Sequence, residues 1–189
     1  MSKWFRSGLP PHQTALAMLG VKAGQTAVFL GAGDADLAAE IARITGLNGR
    51  TLLVDQGEPA RRKVDAAAGR AGALVEFADA PVTSVAGEGR DTFDLAAITM
   101  DRWSHLAADE RRRCVGEAFR LVRPGGRIVI VLRAGKGGWL GKAKTVPREL
   151  ADEALALLTA AGSRAVRVLG ELPGTTYVEG VKPRPTAGT

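Results

Sequence analysis

The chain has 189 residues, 46% of them hydrophobic, enough for one domain with a sizeable core and too apolar for a disordered chain. A single cysteine, Cys114, excludes a disulfide framework and a multi-cysteine zinc site. The net charge of +6 is unevenly placed: residues 101–150 hold 12 Lys/Arg against 5 Asp/Glu, so the rest of the chain sums to −1 and a uniformly basic coat is excluded.

Strand-like and helix-like segments alternate. Residues 1–20 form a leading segment in which Trp4 and Phe5 flank basic residues and Pro10-Pro11 precede a short apolar helix at 14–19. No apolar stretch there resembles a secretion signal, and none elsewhere approaches a membrane span, so a cytoplasmic location is expected. Residues 26–31 (TAVFLG) are an apolar run ending in glycine. A helix follows over 34–45, with Leu37, Ile41 and Ile44 at helical spacing and Asp34 as its cap. The second run is 50–55 (RTLLVD), followed by an Ala/Arg/Lys-rich helix at 58–69. The third run is 73–77 (ALVEF) and the fourth 93–99 (FDLAAIT).

A long helix over 106–122 carries the stripe Val115, Ala118, Phe119 and Val122, and Pro124-Gly125-Gly126 breaks it before a buried strand at 127–132. The last helix, 147–161, has Pro147 in its first turn and Leu150, Leu155 and Leu158 inward. Two strand-like pieces, 165–169 and 176–181, are joined by Leu172-Pro173-Gly174, a turn short enough only for antiparallel neighbours. Residues 183–189 read as a loose tail. This cadence predicts one α/β domain over 1–189, with helices on both faces of a parallel sheet that ends in an antiparallel hairpin.

The loop Gly31-Ala32-Gly33-Asp34 joins a strand to a helix, where glycines let backbone N–H groups approach a ligand and the helix start favours a negative group. A tight turn explains the glycines equally well. The dinucleotide fingerprint needs a third glycine where Asp36 stands, which disfavours NAD and FAD, and no Gly-Lys-Ser/Thr follows for a nucleoside triphosphate. Asp55 closes the second run, where an acid can accept hydrogen bonds from both hydroxyls of a ribose. Asp79 follows the third run, placed to take a hydrogen bond from an adenine amino group, though a turn aspartate is the plainer reading. Strand ends of this kind gather at the carboxyl edge of an open sheet.

Five pieces in order, AVFLGAGD, TLLVDQ, EFADAP, DTFDLAAI and RLVRPGGRIVIVLR, resemble a class I S-adenosylmethionine-dependent methyltransferase. The Arg-Pro-Gly-Gly turn is similar to the ubiquinone/menaquinone-biosynthesis-like group of small-molecule methyltransferases. The resemblance covers roughly residues 10–182. It implies a Rossmann-like doubly wound sheet of seven strands and S-adenosylmethionine as cofactor. It also implies that the backbone of Gly31, Ala32 and Gly33 meets the methionine part, that Asp55 binds the ribose with Gln56 beside the adenine, and that Asp79 and the Ala80 backbone recognise the adenine edge. Two positions depart from the family pattern: Phe29 stands where the family has an acid, and Ala35 where it has a third glycine.

Methyl transfer is an in-line displacement dominated by positioning, so it requires no fixed catalytic residue. Asp101 and His105 are the only base candidates beyond the fourth strand, each with a structural reading at least as good. Trp103 and Trp139 are candidates for the wall of an acceptor pocket or for plain packing, and Cys114 reads as core. The absence of Asp/Asn-Pro-Pro-aromatic after the fourth strand and of a strand-end cysteine speaks against methylation of DNA bases. Three functions remain open. The first is methylation of a small-molecule acceptor, with an anionic acceptor or surface expected near residues 102 and 133–144, by a monomer or a homodimer. The second is methylation of RNA or protein through the basic stretch. The third is a catalytically degenerate binding protein.

Overall fold

A computed structural model describes residues 11–100, 103–134 and 145–185. Its elements in chain order are α1 (Pro11–Leu19), β1 (Thr26–Leu30), α2 (Ala35–Thr45), β2 (Arg50–Asp55), α3 (Glu58–Ala71), β3 (Glu76–Asp79), β4 (Phe93–Ile98), α4 (Ala108–Leu121), β5 (Val122–Arg133), α5 (Arg148–Ala160), β6 (Arg164–Leu172) and β7 (Thr175–Val181). They build a seven-stranded sheet in the order β3-β2-β1-β4-β5-β7-β6. The first five strands are parallel, and β7 lies antiparallel to both β5 and β6. The α/β sheet with its terminal hairpin is the architecture expected from the sequence.

Strand geometry explains why the central runs are apolar throughout. Successive side chains alternate between faces, and both faces are covered. Val28, Leu30, Ala96, Ile98, Ile128 and Ile130 meet α4 and α5 on one face. Ala27, Phe29, Leu95, Ala97 and Val129 meet α1, α2 and α3 on the other. Leu37 and Ile41 pack inward from α2 as their spacing predicts, and Asp34 caps that helix by accepting from the Leu37 N–H at 3.2 Å. Cys114 is core, and burial pushes its thiol pKa up to about 12, which removes it as a nucleophile.

Several boundaries differ from the sequence-based expectation. The third strand is 76–79, three residues later than the apolar run at its start implies. The register Leu52↔Glu76 through Asp55↔Asp79 fixes it, and Leu74 stays 78% exposed outside the ladder. The long helix begins at Ala108 and not at 106, because a 3₁₀ turn (Trp103–His105) intervenes. Pro124-Gly125-Gly126 does not separate helix from strand. Residues Val122–Arg133 are one strand with a register shift between Phe93 and Leu95. Gly126 tolerates this because a Cβ there would lie 2.8 Å from the Asp94 carbonyl oxygen. Pro147 sits at the N-cap of α5 and so just outside its first turn.

The chain between β3 and β4 is anchored through Glu88, which receives two guanidinium hydrogen bonds of 2.8 and 2.7 Å from Arg50. Those bonds hold the Glu88 carboxyl below its ordinary pKa. Its folded value lies below its unfolded value, so the stabilisation is complete above about pH 4.5 and disappears as pH falls through the folded value. Glu88→Gln is expected to cost about 1 kcal/mol at neutral pH. Urea denaturation at several pH values checks this: the gap from wild type should close in acid.

Candidate functional site

The parallel strands end at one edge of the sheet, and the loop after β1 turns there into α2. Gly31 has φ 99°, and a Cβ at this residue would stand 2.8 Å from Met100 Cγ and 3.2 Å from its Cα. Only glycine relieves both constraints. Thr99, buried at the end of β4, donates its hydroxyl to the Gly31 carbonyl at 2.6 Å. The Gly31 N–H donates to the Val54 carbonyl at 2.8 Å. The loop is thus tied to the strands on both sides. Ala35 begins α2 at φ −62°, an ordinary helical value, so glycine is not needed there.

Asp55 stands at the end of β2 and reaches across to this loop. Its Oδ2 accepts from the Ala32 N–H at 2.7 Å, and its Oδ1 accepts from the Gln56 N–H at 2.8 Å. A carboxylate has about four lone-pair positions, so two still face outward for further donors. Asp79 is the register partner of Asp55 on β3, and its Oδ1 accepts from the Gly57 N–H at 3.1 Å. The Ala80 N–H donates to the Asp55 carbonyl at 3.2 Å.

Gly31, Ala32, Gly33 and Asp55 line one cleft of about 330 Å³ with Pro59, Ala60, Lys63 and Met100. The fold therefore brings four of the seven site residues together. Gln56, Asp79 and Ala80 sit at the adjoining ends of β2 and β3, outside that lining. A larger groove of about 440 Å³ opens at the opposite edge, between the exposed Leu47 and Leu74. It contains none of the predicted site residues, so the smaller cleft is the candidate site.

Two further side chains reach the glycine loop: sequence reasoning passed over Lys63 and placed Arg133 on the acceptor side. Lys63, on α3, donates to the Gly33 carbonyl at 3.3 Å. Arg133, the last residue of β5, reaches the same carbonyl at 3.4 Å and pairs with Asp34.

On the acceptor side, Trp103 is 3% exposed and belongs to the core, which is the packing reading. His105 is exposed at the end of the 3₁₀ turn. Asp101, Arg102 and Trp139 lie outside the described residues. Among the described residues there is no group of three or more His, Cys, Asp or Glu able to hold a metal, and no helix long and apolar enough to cross a membrane.

Residues 28–126 match the family model of the methyltransferase domain. No curated protein sequence matches the chain. Among solved structures, an S-adenosylmethionine-dependent methyltransferase from Aquifex aeolicus superposes with TM-score 0.70 at 20% identity, covering 90% of this chain and 88% of that one. A Burkholderia thailandensis 1,6-didemethyltoxoflavin-N1-methyltransferase, solved with its substrate and S-adenosylhomocysteine, gives TM-score 0.61 at 21% identity over 92% of this chain and 76% of that one. An O-methyltransferase family protein from the same organism gives 0.65 at 18% identity over 92% of this chain, which spans only 57% of that longer one. The chain belongs to the methyltransferase domain family. Its seven-stranded sheet is the fold that it shares with the S-adenosylmethionine-dependent methyltransferase from Aquifex aeolicus.

The residues present fit that cofactor. The outward lone pairs of Asp55 suit a ribose diol, and the glycine loop and Met100 leave an apolar-walled cleft beside it.

Proposed function

We propose that the protein methylates a small-molecule acceptor. The observation that favours this choice over RNA or protein is that seven arginines of the basic stretch have carboxylate partners. In the folded chain Arg111 faces Glu153, Arg112 faces Asp109, Arg120 faces Glu117 and Arg123 faces Asp94. Arg127 faces Glu179, Arg133 faces Asp34 and Arg148 faces Asp152. Phosphate binding needs cations that release counterions to the backbone, and these arginines already have carboxylate partners. The toxoflavin-precursor methyltransferase among the similar folds is in keeping with a small acceptor. An anionic acceptor would rest on Arg102, Lys136, Lys142 and Lys144, all outside the described residues.

In this reading S-adenosylmethionine supplies a methyl carbon activated by a positively charged sulfur. Asp55 fixes the ribose, and its bond to the Ala32 N–H keeps the glycine loop in register with that anchor. Met100, packed on Gly31, gives the cleft an apolar wall beside the loop. Catalysis is then the placement of the acceptor in line with the methyl carbon.

Incubation of the protein with a cell extract and methyl-labelled cofactor tests the choice. Label should pass into the low-molecular-mass filtrate and not into precipitated RNA or protein. Filter binding to RNA at low salt should show no affinity. Label confined to RNA, with salt-dependent RNA binding, would reverse the reading.

A further inference from the structure

The peptide between Gly31 and Ala32 is gripped on both sides. Its carbonyl oxygen accepts the Thr99 hydroxyl at 2.6 Å, and its N–H donates to Asp55 Oδ2 at 2.7 Å. A trans peptide is planar with its C=O and N–H opposed, so one bond runs toward the end of β4 and the other toward the end of β2. Neither belongs to the sheet ladder. The backbone bonds stop one step earlier, with the Gly31 N–H on the Val54 carbonyl at 2.8 Å and the Thr99 N–H on the Leu30 carbonyl at 2.9 Å. Beyond them the chain turns through Gly31 at φ 99° and ψ 138°. Glycine reaches this conformation without a Cβ clash and has little preference of its own, so side chains must fix what the backbone leaves open. Thr99 is 3% exposed, and Gly31 and Ala32 are buried, so solvent is poorly placed to replace either bond.

We propose that Thr99 is a positioning residue for the cofactor: it acts through the Gly31–Ala32 peptide to hold the Asp55 carboxylate in the orientation that receives the ribose. The inference rests on the S-adenosylmethionine reading above. Thr99 does not line the cleft, so its effect on the ligand passes through that peptide. The hydroxyl polarises the carbonyl, which strengthens the N–H as a donor to Asp55, and it stops the peptide from turning over. With Oδ2 engaged by the Ala32 N–H and Oδ1 by the Gln56 N–H, the carboxylate plane is set and its outward lone pairs face the cleft. Without the hydroxyl, the Gly31 carbonyl loses this donor inside the protein. The peptide then rotates toward another partner, and the Ala32 N–H leaves Asp55.

A double-mutant cycle on the full chain, read by calorimetry with S-adenosylhomocysteine, separates this role from a structural one. Thr99→Val keeps the shape of the side chain and removes the donor. It should weaken S-adenosylhomocysteine about tenfold, the worth of one hydrogen bond, and Thr99→Ser should bind nearly as wild type does. In the Asp55→Ala background the Ala32 N–H has no carboxylate to hold, so adding Thr99→Val should change affinity by less than about twofold. Urea denaturation confirms that each variant is folded, and Thr99→Ala repeats the cycle if the valine variant is not. A residue that only stabilises the loop gives the same loss in both backgrounds. That result, or no loss in either, overturns the proposal while leaving the cofactor assignment standing. Wild-type protein that does not bind S-adenosylhomocysteine overturns the cofactor assignment and this inference with it.

Discussion

Replacing Asp55 with alanine should weaken S-adenosylhomocysteine binding about a hundredfold and leave the fold intact. The carboxylate sits at the end of β2, with one face given to the Ala32 and Gln56 N–H groups and the other turned to the cleft. Two hydroxyl hydrogen bonds to a charged acceptor are together worth about 3 kcal/mol, which is a hundredfold in affinity. Alanine also frees the Ala32 N–H, so the loop loses the clamp that holds it against β2. Asp55→Asn separates these effects. Its amide keeps one acceptor oxygen but presents a donor where a second acceptor is needed, so its loss should be intermediate. Calorimetry measures both variants, and their thermal unfolding should stay within a few degrees of wild type because the side chain is half-exposed and outside both core clusters. Binding by Asp55→Ala within a few fold of wild type would remove Asp55 from the site.

Asp55 was legible in the sequence because its position follows from strand length alone. A buried strand of six residues ends where its apolar run ends, and parallel strands share one carboxyl edge. The same logic located β1, β4 and the hairpin turn. It failed at β3, where the apolar residues 73–75 precede the ladder, because hydrophobic content records burial by any means and Leu74 is scarcely buried at all. The pairing of the basic residues was not legible either. The excess of basic residues in 101–150 is real along the chain, but the fold supplies Glu179 from β7, Asp94 from β4, Asp34 from the glycine loop and Glu153 from α5. These partners lie 29 to 99 residues away, beyond the reach of local charge counting. Lys63 was hidden for a related reason: its reach to Gly33 depends on how α3 is rotated against the loop, which no spacing along the helix reports.

Phe29→Asp should unfold the protein or cost at least about 4 kcal/mol, although it restores the acid that the family pattern carries two residues before its first glycine. Phe29 pairs in register with Leu53 on β2 and Ala97 on β4, and its ring is fully buried in one cluster with Leu19, Leu37, Val131 and Tyr177. Truncating a buried phenylalanine costs about 3–5 kcal/mol, and a carboxylate without a partner in that cluster adds a further desolvation penalty. The nearby cations do not offer relief, since Arg133 is paired with Asp34 and Arg127 with Glu179. Phe29→Leu, which keeps the site apolar, should cost only about 1–2 kcal/mol and separates lost volume from buried charge. Urea denaturation followed by circular dichroism gives both values. Phe29 on β1 is thus a packing residue, and the substitution that looks like a repair is expected to behave as core damage. A folded Phe29→Asp variant with an unchanged midpoint and tighter S-adenosylhomocysteine binding would refute that packing role.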